Sequence, residues 1–78
     1  MFAESAQGET MDQEVFNLSV RKFLKMVGVR SQQEIEQAVQ KAIASGAIQG
    51  GESLPAVMTL KIAGVQLDVT FDSKIDLQ

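Results

Sequence analysis

Cysteine and histidine are both missing from the 78 residues of this chain. Without cysteine there is neither a disulfide framework nor a thiolate metal site. Without histidine the chain lacks the commonest acid–base residue and the commonest metal ligand. Both absences fit a reduced, cytoplasmic setting, which is the expected location. No apolar run approaches the roughly 18–20 residues of a membrane span, so no membrane role is expected. The first ten residues have no basic region followed by an apolar core and do not read as a signal peptide. Basic charge is also scarce: seven Lys and Arg stand against ten Asp and Glu, a net charge of -3. That balance argues against a dedicated nucleic-acid binder but leaves room for a local basic patch.

The apolar fraction is 45%, in the globular range rather than the disordered one. A chain of this length makes one domain and buries only about 60% of its unfolded surface. Every long hydrophobic run is therefore expected in the core, and dimerisation would help a core that falls short. Residues 1–10, MFAESAQGET, show no usable periodicity and read as a flexible tail. Residues 11–78 read as a single small α+β domain.

The clearest helix covers residues 31–46, SQQEIEQAVQKAIASG. Ser31 is placed to cap its start, with Glu34 reaching back, and Gly46 to stop it. Ile35, Ala38, Val39, Ala42 and Ile43 recur on one side at spacings of three and four. An earlier helix is expected over residues 12–27, started by Asp12 and striped by Phe16, Val20, Phe23, Leu24 and Val27. Gly28, Val29 and Arg30 read as the joint, which makes the two helices packed neighbours. Gly50 and Gly51 mark a turn or a flexible joint before the second half.

From Met58 the period changes to two. Met58, Leu60 and Ile62 alternate with Thr59 and Lys61; Val65, Leu67, Val69 and Phe71 alternate with Gln66, Asp68 and Thr70. A two-residue turn at Ala63 and Gly64 pairs Ile62 with Val65, Leu60 with Leu67 and Met58 with Val69, all on one face. Asp72, Ser73 and Lys74 can turn the chain again, leaving residues 75–77 as an optional short third strand. The expected fold is α+β: two packed helices, then an antiparallel hairpin whose apolar face covers them, ααββ or ααβββ. The expected core comprises Phe16, Val20, Phe23, Leu24, Ile35, Val39, Ile43, Leu60, Ile62, Val65, Leu67 and Val69.

Catalysis finds little to work with. Lys25 and Lys61 are the lysines to consider, and neither has an activating neighbour in sequence. Asp68, Asp72 and Asp76 match no calcium loop, and Gly46, Gly50 and Gly51 lack the Lys-Ser/Thr that follows in a phosphate loop. No enzyme activity, catalytic residue, cofactor or metal is expected. Nucleic-acid binding has a partial winged helix-turn-helix outline, with Arg21, Lys22, Lys25 and Arg30 available to phosphates. Glu34 and Glu36 count against it, and Lys61 alone makes a thin wing. The leading expectation is a protein-interaction domain with an unknown protein partner or a second copy of itself. Its apolar interface would use Val15, Leu18 and Val57.

From Met11 onward the chain resembles a family of small uncharacterised bacterial proteins, one of the domains of unknown function. The stretches that carry the resemblance are VFNLSVRKFLKMVGVRSQQEIEQAV, AIASG, GGESLPAVMTL and IAG. The resemblance implies a compact cytoplasmic protein with two helices and a short sheet, and it brings no activity or cofactor. Within the matching stretches it draws attention to Arg21, Lys22, Phe23, Gly50, Gly51 and Pro55, each of which also has a structural explanation as a helix rim or a turn.

Overall fold

A computed structural model describes residues 11–78; the expected tail at residues 1–10 lies outside them. The helical pattern that begins at Asp12 does not stop at Gly28. It continues as one helix, α1, Gln13–Ser45. Asp12 caps it as expected: its Oδ1 accepts the amides of Glu14 at 3.0 Å and Val15 at 3.2 Å. The two packed helices of the sequence reading are thus a correction. Gly28, Val29, Arg30 and Ser31 are all interior helical residues, so Ser31 caps nothing. The physical reason lies in phase. A lone glycine costs a helix only about 1 kcal/mol relative to alanine. The apolar series Phe16, Val20, Phe23, Val27 passes to Ser31, Ile35, Ala38 and Ala42 without changing side, so the stripe is not interrupted.

The helix ends where Gly46 was expected to end it. Gly46 takes φ +82°. Its N–H donates to the Ile43 carbonyl at 3.1 Å, and the Ala47 N–H donates to the Ala42 carbonyl at 2.9 Å. That pair of bonds is the Schellman arrangement, which satisfies two carbonyls the helix itself leaves open. Gly50 then takes φ +113°. The Glu52 carboxylate closes the turn by accepting the amides of Gln49 at 2.7 Å and Gly50 at 2.8 Å.

The hairpin is longer than its sequence pattern suggested. Strand β1, Ser53–Ile62, pairs antiparallel with β2, Leu67–Asp76. The register sets Ile62 opposite Leu67, Leu60 opposite Val69 and Met58 opposite Phe71. This is two residues away from the expected pairing, and the connecting loop holds four residues, not two. Residues 63–65 make a single 3-10 turn, and Gln66 closes it in the left-handed region at φ 56° with its N–H on the Ala63 carbonyl at 3.0 Å. A two-residue hairpin turn needs a positive φ at its first position, where Ala63 would be strained; the longer loop moves that demand to Gln66. Because the shift is even, each side chain keeps its face.

No third strand occurs among the described residues. Asp72, Ser73 and Lys74 continue β2, opposite Val57, Ala56 and Pro55. The ladder extends one pair further, with the Leu77 N–H on the Glu52 carbonyl at 3.0 Å. Counting back from that bonded pair, Pro55 falls in a non-hydrogen-bonded pair, where its missing N–H costs no ladder bond. One sheet face carries Leu54, Met58, Leu60, Ile62, Leu67, Val69, Phe71 and Ile75. The other carries the Thr59–Thr70 hydroxyl contact at 3.4 Å and the Ser53 hydroxyl on Asp76 at 2.6 Å.

Contacts divide the chain into two units between Val39 and Gln40. The first contains most of α1; the second contains its last turns, the Glu52 turn and the hairpin. The expected core is corrected in both. None of the described residues is buried, and of the twelve named core positions only Val39, Leu60 and Leu67 are half-buried.

Candidate interaction surface

Helical geometry sorts α1 into two sides. At about 100° per residue, Phe16, Val20, Phe23, Leu24, Val27, Ser31, Ile35, Ala38 and Ala42 occupy one arc about 120° wide. The large members of this stripe are open to solvent, from Val20 and Ile35 at 39% to Leu24 at 54%. Val15, Leu18, Met26 and Val29 occupy a second, narrower arc on the opposite side, and are 49% to 63% exposed.

The proposed contact residues fall on this second side. Arg21, Lys22 and Lys25 lie within about 100° of one another, around Leu18. Arg30 stands apart: it lies about 180° around the axis from Arg21 and about 140° from Lys25, and although only about 80° from Lys22 it is about 12 Å further along the helix. Val15 and Leu18 are therefore neighbours of the three cations. Val57 belongs to the hairpin, on its polar face opposite Asp72, and is 66% exposed. Met26 and Val29 were not singled out as surface residues, and Val29 was assigned to the joint. Their spacing from Leu18 and Val15 would have found them once the helix was read as continuous.

The winged helix-turn-helix outline has no counterpart, since its two helices are one. Asp68, Asp72 and Asp76 sit on the polar face of an extended strand, about 13 Å apart in succession. Among the described residues no group of three acidic side chains is placed to hold a metal ion. Shallow depressions occur among the described residues. One lies between Glu14, Asn17, Leu18 and Arg21, another between Ser53, Pro55, Asp72, Ser73 and Lys74. No described helix is long and apolar enough to cross a membrane.

Comparison with family models matches residues 11–78 to a family of unknown function, DUF6494. The chain belongs to that family. The DUF6494 match starts beside the Asp12 cap and takes in all of α1 and both strands, so both arcs of the helix and both faces of the hairpin lie inside it. No curated protein and no solved structure matches the chain.

Proposed function

We propose that the protein is a small, non-enzymatic protein-interaction domain that associates with itself. The observation supporting this is the layout of its apolar residues. Among the described residues they form faces, one along α1 and one along the hairpin, and none of them is buried. Each Å² of apolar surface removed from water contributes about 25 cal/mol, so covering either face is favourable. A two-stranded sheet is marginal in isolation and gains from a cover on its apolar face. We place the protein in the reducing cytoplasm of a bacterium, a reading that rests on its cysteine-free composition and its family resemblance.

Light scattering at tens of micromolar tests the reading. Dimer mass, falling to monomer on dilution, is the expected result; a monomer throughout overturns self-association.

A second reading is nucleic-acid binding through Arg21, Lys22 and Lys25, favoured by their shared side of α1. It requires salt-sensitive binding at low ionic strength, weakened and with a shallower salt slope in the Lys22→Ala, Lys25→Ala double variant. No binding at low salt removes it.

A further inference from the structure

We infer that the main stripe of α1 is the seam of an antiparallel pair with a second copy of this chain, crossing at the level of Val29. The inference rests on the self-association proposed above and adds its geometry. The stripe changes character along the helix. Its first half is built of large side chains, Phe16, Val20, Phe23 and Val27; its second half falls away to Ser31, Ala38 and Ala42, with Ile35 between.

Pairing two copies in parallel would set large on large at one end and small on small at the other. Helix separations of 8–10 Å follow side-chain size, so such a pair would splay. Reversing one copy evens out the layers. Val20 then meets Ala38, Phe23 meets Ile35 and Val27 meets Ser31 of the second copy, and in each pair the residue numbers add to 58. The same sum brings Phe16 to Ala42. One two-fold axis therefore relates these four layers, as an isologous interface requires, while the same sum sets Leu24 beside Glu34. Ser31, one of the polar residues within the arc with Glu34 and Lys41, lands beside that axis, where a polar residue helps fix register.

The periodicity suits a long, nearly straight seam. Phe16, Val27 and Ala38 are spaced by eleven, as are Val20, Ser31 and Ala42. An eleven-residue repeat advances 3.67 residues per turn, so the stripe drifts only about 20° every three turns. A strict seven-residue seam would not follow it.

The absence of native cysteine makes the test direct. Val20→Cys and Ala38→Cys are prepared separately in the full chain, checked for wild-type helicity and mass, and treated with a short bis-maleimide cross-linker, alone and mixed. The antiparallel pair gives cross-linked dimer in the mixture and none from Val20→Cys alone, whose two cysteines would be about 27 Å apart along the axis. Cross-linking of Val20→Cys with itself, or dimer mass with no cross-link in the mixture, overturns this geometry and leaves self-association standing. Monomer mass for the unmodified chain overturns both.

Discussion

Two glycine-bearing stretches of this chain look alike in sequence and behave in opposite ways. Gly28 and Gly46 each follow a run of helical apolar residues, and each is followed by a polar side chain able to take up backbone amides, Ser31 three residues on and Glu52 six residues on. At Gly28 the helix passes straight through; at Gly46 it ends. The backbone shows why. Gly46 and Gly50 adopt φ of +82° and +113°, conformations that a side chain opposes, whereas Gly28 keeps helical angles. Around Gly46 the freed carbonyls of Ala42 and Ile43 find donors, and the Glu52 carboxylate collects the next amides. A Cβ would meet no atom within 4 Å at either Gly28 or Gly46, so the backbone angle and not the space around it separates the two sites. A glycine permits a break; the partners for the broken ends decide it.

The comparison breaks most visibly at Gly28→Pro. In a continuous helix the substitution removes a backbone bond and clashes with the preceding turn, costing about 3 kcal/mol. The far-UV circular dichroism of the variant should show lost helix and a lower melting temperature. A variant as helical and as stable as the parent would restore the two-helix reading, because a joint between helices accommodates proline.

Alanine at the same two glycines sharpens the contrast. Gly28→Ala fills open space on a helical backbone and should stabilise by about 0.5–1 kcal/mol. Gly46→Ala forces a side chain into the left-handed region and should destabilise by about 1 kcal/mol. Thermal melts at one protein concentration read both, with shifts of about 4–8 °C per kcal/mol for a domain of this size. Shifts of the same sign would erase the difference between the two sites.

What the sequence left illegible follows the same rule. The Asp12 cap, the Gly46 stop and the apolar face of the hairpin were readable, because each is set by a residue type at a required position. The break at residues 28–31 and the turn at residues 72–74 were misread, because local composition was weighed above phase. The α1 stripe passes through Ser31 on the same side, and Ile75 keeps the alternation of Leu67, Val69 and Phe71 across Ser73. Periodic burial potential outlasts a single weak residue. The hairpin register missed by two because Ala63 was given a turn position that demands positive φ. On the helix, the shared side of Arg21, Lys22 and Lys25 was implicit in their spacing. Arg30 parted from them only once the joint it was assigned to proved helical. The exposure of the expected core was not legible at all, since a pattern shows which face seeks cover and not what covers it.

The subtlest handle on the comparison is the carboxylate that holds the second stretch closed. Hydrogen bonds from the Gln49 and then the Gly50 amide favour the ionised form of Glu52 and hold its carboxyl below the usual glutamate value of 4.5. A folded value below the unfolded one means that the unfolded chain binds the proton more readily. The stabilising contribution is therefore complete above the unfolded value and is lost as pH falls through the folded one. Glu52→Gln should melt below the parent at neutral pH, and the gap should close as pH is taken below about 4.5, the reference value for an unperturbed glutamate. Gly28→Ala, remote in sequence from this carboxylate, should leave the size and pH dependence of the gap unchanged. Equal melting at neutral pH, or a gap that widens on acidification, would show that the turn after Gly46 is held by its glycines alone and that the carboxylate is incidental to it.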